Sequence, residues 1–268
     1  MKGRVLVIAG SDSGGGAGIQ ADIKTITALG GYAATAITAL TAQDTCGVYE
    51  VLPVPPDFVA RQMRLVLEDI GADALKTGML VSAPVIMAVA EVIEASARDL
   101  PLVLDPVMVA TSGDELLDME AALALKTRLF PQARLLTPNI PEAEALTGLT
   151  IDSRAAMERT ALALLAMGPQ AVLLKGGHGA GAQVFNVLAE QGRIVAVSAR
   201  ERLESRHSHG TGCTLASAIA AGLAQGMGLG DAVDRAERYV HEAIRAAPGF
   251  GAGCGPLDHG HAIVPFDD

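Results

Sequence analysis

Aliphatic runs that end in glycine or polar clusters, each followed by a stretch of helical spacing, recur along this chain. Arg4-Val5-Leu6-Val7-Ile8-Ala9 is apolar without alternation, as expected of a strand covered on both faces. It ends in the glycine-rich stretch Gly10 to Gly18, after which Ile19, Ile23, Ile26 and Leu29 predict a helix closed by Gly30-Gly31. Tyr32 to Leu40 reads as a second strand. Val48 to Val54 is a short β-prone piece, ended by Pro53, Pro55 and Pro56, that suits a small flap. Helices are predicted over Asp57–Ile70 and Pro84–Ala97, the latter with proline near its first turn, and over Glu115–Leu129. Further helices are predicted from Ser153, from the residues after Gly210 and over Asp231–Ala246. Strands fall at Ala74–Met79, Leu102–Leu104, Leu135–Leu136 and Ala171–Leu174, and Val184–Leu188 with Arg193–Val197 alternate like an antiparallel hairpin. The alternation predicts a three-layer α/β fold with a mainly parallel central sheet flanked by helices. No linker-like composition divides it, so residues 1–268 read as a single domain.

Composition narrows this picture. Half of the residues are apolar but only 3% are aromatic and none is tryptophan, so the core must be aliphatic. A formal charge of −10 disfavours nucleic acid, whose phosphates need clustered Lys and Arg. An anionic small molecule is still compatible where backbone amides, a cation or two and a metal neutralise it locally. Cys46, Cys213 and Cys254 show no metal-ligand spacing and no evident disulfide framework. No stretch reaches the roughly 18 uncharged apolar residues of a membrane span, and Val5 to Ala9 is too short for a signal peptide. A reducing cytoplasm is the expected setting.

The run His209-Gly210-Thr211-Gly212-Cys213-Thr214 opens an alanine-rich segment, so its glycines belong at a helix N-terminus. Unpaired N–H groups and the positive helix pole gather there, and the missing Cβ atoms of Gly210 and Gly212 let an anion approach. Cys213 falls in the first turn, where a thiol pKa is lowered and the thiolate favoured. An inert buried cysteine is the plain alternative. The first glycine loop is neither a P-loop nor a dinucleotide fingerprint, since Gly-Lys-Ser/Thr is absent and Ile19 stands where a third glycine is needed.

In such sheets ligands gather at the carboxyl ends of the strands. Asp105 ends its strand and suits a hydrated divalent cation. Asn139 and Glu142 start a helix and either face the same ion or act as ordinary caps. Lys175 beside two glycines reaches phosphate oxygens or is merely solvated, and Gln43 pairs in bidentate fashion with a ring nitrogen and amino group or is merely exposed. Met79, Val107 and Met108 suit core or pocket wall. His209 suits a packed, hydrogen-bonded role, and His178, His259 and His261 show no ligand spacing.

Taken in order, Gly10-Ser11-Asp12, Gly15 to Asp22, Thr38 to Gln43, Lys76 to Leu80, Leu104 to Met108, Thr137 to Ala143, Leu174 to His178 and His209 to Thr214 resemble the hydroxymethylpyrimidine/phosphomethylpyrimidine kinases of thiamin biosynthesis, within the ribokinase-like superfamily. The resemblance runs through Gly255-Pro256 and His259. It implies a ribokinase-like fold, ATP and Mg²⁺ as cofactors, and transfer of the γ-phosphoryl to a hydroxymethyl group and then to the resulting monophosphate. It further implies that Gln43 reads the aminopyrimidine edge, with Gly10, Asp12, Met79 and Val107 around it. Lys175, Asn139 and Thr211 would serve ATP, Asp105 and Glu142 would organise Mg²⁺ and its waters, and Gly210 to Cys213 would form an anion hole. Cys213 stands where many sugar and pyridoxal kinases of the superfamily carry an aspartate base. Asp44 departs from the asparagine that commonly follows the glutamine. A homodimer is implied in the same way. Three other readings remain: a pyridoxine or pyridoxal kinase, a thiol hydrolase built on Cys213 and His209, and a ligand sensor without turnover.

Overall fold

The computed structural model describes residues 2–108, 118–177 and 181–264. Among these, a nine-stranded sheet runs in the order β3-β2-β1-β4-β5-β6-β7-β8-β9. The strands are β1 (Arg4–Asp12), β2 (Tyr32–Gln43), β3 (Val48–Pro53), β4 (Ala74–Thr77), β5 (Leu102–Leu104), β6 (Leu135–Leu136), β7 (Ala171–Lys175), β8 (Gln183–Glu190) and β9 (Arg193–Glu201). From β2 through β1 to β7 the neighbours are parallel, with Val5 opposite Ala33 on one side and Ala74 on the other. The β3 flap and the β8–β9 hairpin are antiparallel additions at the two edges.

The unbroken apolar character of the strands has a direct cause. Leu6 and Ile8 point into one core with Leu75, Leu104 and Leu136, while Val5, Val7 and Ala9 enter a second core with Val103, Leu135 and Leu173. The first core is closed by α2 (Pro56–Asp69), α3 (Ala83–Ser96), α4 (Met119–Ala124), α5 (Ile140–Thr147) and α6 (Arg154–Leu165). The second is closed by α1 (Gly18–Ala28), α7 (Thr211–Ala224) and α8 (Leu229–Arg245). Each large aliphatic side chain so enclosed contributes about 1.5–3 kcal/mol. These are the three layers expected from the alternation of strands and helices.

The helix expected over Glu115–Leu129 begins, among the described residues, only at α4, capped by Asp118. It then widens into a π turn over Leu125–Leu129 and a 3₁₀ turn that contains Pro131. The expected start at Glu115 and the residue His178 lie outside the described residues. No described helix is long and apolar enough to cross a membrane.

Chain order places the site. From β1 the chain moves first to β2 and β3 on one side, then crosses to β4 and onward on the other. Such a reversal opens a crevice at the carboxyl ends of the diverging strands. Gly10 and Met79 border it, at the ends of β1 and β4.

Candidate active site

A cavity of about 700 Å³ opens over this crevice and is walled by the ends of the parallel strands, the N-terminus of α7 and the β8–β9 hairpin. The residues given a site role from the sequence line it, namely Gly10, Asp12, Gln43, Met79, Asp105, Val107, Asn139, Glu142, Lys175 and Gly210 to Cys213, whereas Met108 packs against the first core. These positions span most of the chain, and only the carboxyl-end rule for parallel sheets brings them together.

Gly210 precedes α7 with φ +82°, and a Cβ there would run into the carbonyl oxygen of Gly16. Glycine is therefore required where the two glycine loops touch. Gly212 faces the polar centre, since a Cβ on it would stand 3.3 Å from Lys175 Nζ and 3.6 Å from Asp105 Oδ2. Thr211 donates its hydroxyl to the Ser208 carbonyl at 2.6 Å, and Thr214 donates to Gly210 at 2.8 Å. The helix start is thus tied on both sides.

Cys213 occupies the first turn as expected, but its thiol does not behave as expected there. Burial pushes its pKa up to about 11, helped by the negative charges of Asp22 and Asp105. Lys76 and a hydrogen bond from the Gly18 backbone pull the other way and lose. Desolvation outweighs the helix pole, so the resting group is a neutral thiol. His209 does not activate it either: its Nε2 is held by Asp12 and Gln43, and no hydrogen bond joins it to Cys213 among the described residues. The pairing required by a thiol hydrolase is missing.

Lys175 Nζ donates to Asp105 Oδ1 at 2.8 Å, and the Thr137 hydroxyl donates to the same oxygen at 2.8 Å. Burial opposes the charge on both partners. Even so, Lys175 and Lys76 hold the Asp105 carboxyl below its usual range, while Asp105 and Glu142 hold the Lys175 amine above its own. Asn139 and Glu142 form a reciprocal cap on α5: Asn139 N–H donates to Glu142 Oε2 at 2.8 Å and Glu142 N–H to Asn139 Oδ1 at 2.9 Å. Capping and cavity lining are therefore combined in one pair. Burial drives Glu142 up to about 7, and nearby Asp105 adds to this against the pull of Lys175. Two enclosed carboxylates share one lysine, and a divalent cation would relieve their repulsion. No group of three acidic, histidine or cysteine side chains that could hold a metal alone occurs among the described residues. That donor set fits Mg²⁺, which is bound through one or two carboxylates with waters and phosphate oxygens.

At the β1–β2 end, Asp12 organises the first glycine loop. Its carboxylate accepts from the N–H groups of Gly14, Gly16 and Ala17 and approaches His209 Nε2 at 2.9 Å. These bonds overcome desolvation and keep its pKa low. The Gln43 side chain stands at the rim, 3.2 Å from both His209 and Thr41. Asp44 fastens the turn into β3, accepting from Cys46 N–H at 2.7 Å and Gly47 N–H at 3.1 Å.

One feature escaped the sequence reading. Lys76, fully enclosed in β4, pairs with Asp22 of α1, and Ser217 of α7 donates to the same carboxylate at 2.7 Å. A lysine inside an otherwise apolar strand was the only signal. At the hairpin end, Glu237 is likewise enclosed, accepting from Asn186 at 2.8 Å and Ser198 at 2.7 Å beneath the apolar wall of Val240 and Ile244.

The Phosphomethylpyrimidine kinase family profile matches residues 12–258. The chain is 50% identical over 258 residues to the thiamine biosynthesis bifunctional protein ThiED of Geobacter sulfurreducens, with 96% of this chain and 52% of that protein covered. It thus spans about half the length of that relative. It is 48% identical to a hydroxymethylpyrimidine/phosphomethylpyrimidine kinase of Streptomyces coelicolor, over 97% of this chain and 95% of that one. Among solved structures, an ADP complex of Bacillus subtilis pyridoxal kinase superposes with a TM-score of 0.89 at 33% identity, over 97% of this chain and 98% of that one. Matched across nearly its whole length, and carrying its polar residues in one crevice of a shared ribokinase-like fold, the chain belongs to the phosphomethylpyrimidine kinase family.

Proposed function

We propose that this cleft transfers the γ-phosphoryl group of ATP to the hydroxymethyl oxygen of 4-amino-5-hydroxymethyl-2-methylpyrimidine, and then phosphorylates the monophosphate to the diphosphate. The observation that carries this reading is the arrangement along one cavity: Gln43 at one end, Cys213 and the Lys175–Asp105 pair between, and the hairpin wall at the other. Gln43 offers one acceptor and one donor side by side, which complements an amino group next to a ring nitrogen. Gly10, Met79 and Val107 enclose the ring.

Phosphoryl transfer asks the protein mainly for positioning and charge neutralisation. In this reading the first-turn N–H groups of Gly212 and Cys213 meet the phosphate charge, the Thr211 N–H being taken by the Ser208 carbonyl, and Lys175 supplies a cation beside them. Asn139 and Thr211 border the phosphates. Asp105 and Glu142, with waters, would hold Mg²⁺, which would supply positive charge against the phosphates. Cys213 receives the hydroxyl proton only as a thiolate, so its own thiol proton must first leave to solvent; the raised pKa then makes that thiolate a strong base. The exposed Tyr49, Leu52 and Leu40 of the β2–β3 edge support assembly as a homodimer, which light scattering would test.

Incubation with Mg-ATP and the aminopyrimidine, followed by mass spectrometry, tests the reading. Successive mono- and diphosphate support it, and unchanged pyrimidine overturns it. The likeness to a pyridoxal kinase favours one alternative, phosphorylation of pyridoxal or pyridoxine by the same groups, and the same assay with those acceptors separates the two.

A further inference from the structure

Asp12, His209, Gln43 and Thr41 form a chain whose protons have one consistent arrangement. Asp12 Oδ1 accepts from Gly14 N–H at 2.8 Å, and Oδ2 accepts from Gly16 at 3.0 Å and Ala17 at 2.8 Å. A carboxylate so surrounded by donors is ionised and has no proton to give. His209 Nε2 lies 2.9 Å from that Oδ2, so this ring nitrogen must carry a hydrogen and donate it. The two ends of the Gln43 amide lie 3.2 Å from His209 Nε2 and 3.2 Å from Thr41 Oγ1. Thr41 has a single hydroxyl proton, and the Ser11 carbonyl 2.9 Å away, which can only accept, claims it.

A glutamine amide can be turned end for end without changing shape, so only its partners decide its orientation. With the NH₂ toward His209, two donors would face each other and the amide oxygen would meet the lone pairs of Thr41. With the oxygen toward His209 and the NH₂ toward Thr41, the Thr41 contact becomes a hydrogen bond, and the single Nε2 hydrogen, given mainly to Asp12, faces a second acceptor instead of a second donor. We infer that His209, held by Asp12, is a positioning residue that locks the Gln43 amide oxygen on the His209 side and thereby decides which way round an aminopyrimidine lies. This rests on the proposed reading in which Gln43 faces the pyrimidine edge.

The consequence reaches the chemistry. On that edge the amino group is followed by the carbon that bears the hydroxymethyl arm, and the ring nitrogen by the carbon that bears the methyl group. An amide oxygen on the His209 side draws the amino group there. The hydroxymethyl arm is then carried toward the residues that follow His209 in sequence, Gly210 to Cys213. The opposite amide would bring the methyl group instead. A 4-oxo analogue carries N–H and C=O where the natural edge has N and NH₂, and it mismatches a locked Gln43.

The test compares kcat/KM for the 4-amino substrate and its 4-oxo analogue in wild type and His209→Phe, which keeps the ring that packs on Gly16. A freed Gln43 can turn to meet the oxo edge, so the amino-to-oxo ratio should fall at least about tenfold. An unchanged ratio, even with both rates lowered, would overturn the inference, because a purely structural loss moves both substrates together. Neutron diffraction from wild-type crystals grown in D₂O reads the lock without any variant. Two deuterons on the Gln43 atom facing Thr41 and one on His209 Nε2 support it, and two deuterons facing His209 sink it. A wild type that phosphorylates no aminopyrimidine would remove the proposed function, while the neutron result would still decide the amide.

Discussion

Lys76 Nζ lies 2.9 Å from both carboxylate oxygens of Asp22, in a pair whose side chains have 0% exposure. Burial opposes the lysine charge, yet Asp22 above all, with Asp105, offsets it and holds the amine protonated. Ser217, one helical turn beyond Cys213, donates to the same carboxylate, so the pair fastens β4, α1 and α7 beneath the thiol. Removing one partner of such a pair leaves an uncompensated buried charge.

Lys76→Met should therefore cost about 3–5 kcal/mol of unfolding free energy, measured by urea denaturation. The double variant Lys76→Met/Asp22→Leu should recover most of that loss, because two apolar side chains replace the pair. A single variant within about 1 kcal/mol of wild type would show that the pair is hydrated in solution.

The contact between the glycine loops gives a second test with an internal control. Gly210 and Gly226 have nearly the same backbone, φ +82° and +84°, but a Cβ at Gly226 meets nothing within 4 Å. Gly226→Ala should cost only about 1 kcal/mol, the strain of the left-handed region. Gly210→Ala must also push away the Gly16 carbonyl, so stability and turnover should fall together. Equal effects of the two substitutions would mean that the loops do not touch.

Much of the site was legible because its residues sit where apolar strands stop. Asp105 after Leu104, Lys175 after Leu174 and Asn139 after the short β6 each announce a carboxyl end, and parallel strands bring those ends together. The edge strand β3 was legible from its β-prone run and its closing prolines. Pairings across long separations were not. Asp22 lies among Ile19, Ile23 and Ile26 in a helical pattern, and nothing local says that its partner is 54 residues away. The Cys213 thiol was misjudged for the same reason. Its helix position is local, whereas the burial and the charges that raise its pKa, Asp22 in α1 and Asp105 after β5, come from distant parts of the chain.

His259 gives the pH dependence. Its Nε2 donates to Thr214 Oγ1 at 3.0 Å, since the Thr214 proton goes to Gly210, and its carbonyl accepts from Tyr239 at 2.6 Å. Burial, with Lys24 nearby, lowers its pKa from 6.5 to about 4. The unfolded chain therefore binds this proton first. The stabilisation is full above about pH 6.5 and is lost as pH falls toward 4, by roughly 3 kcal/mol. His259→Gln keeps a donor for Thr214 without a titrating group. The difference in stability between wild type and this variant should shift by that amount between pH 7 and 4. A constant difference would place a charged or solvated imidazole there.

Cys213 makes the last prediction, and its two halves depend on each other. A thiol with a pKa near 11 is about a thousandth ionised at pH 8, so iodoacetamide should modify it more than a hundredfold more slowly than a free cysteine. The exposed Cys46 should react first, as peptide mapping after brief labelling would record. Only the thiolate form of such a side chain can take up the hydroxyl proton, and its raised pKa makes that thiolate a strong base. Cys213→Ala should therefore lower kcat by about 10²–10⁴, the range for a positioned base, and leave KM within a few-fold. Rapid alkylation at pH 7 would show that the helix pole prevails over burial after all. Slow alkylation with near-wild-type turnover of the alanine variant would instead take the cysteine out of the proton path, and leave the backbone amides of Gly210 to Cys213 and Lys175 to account for the rate.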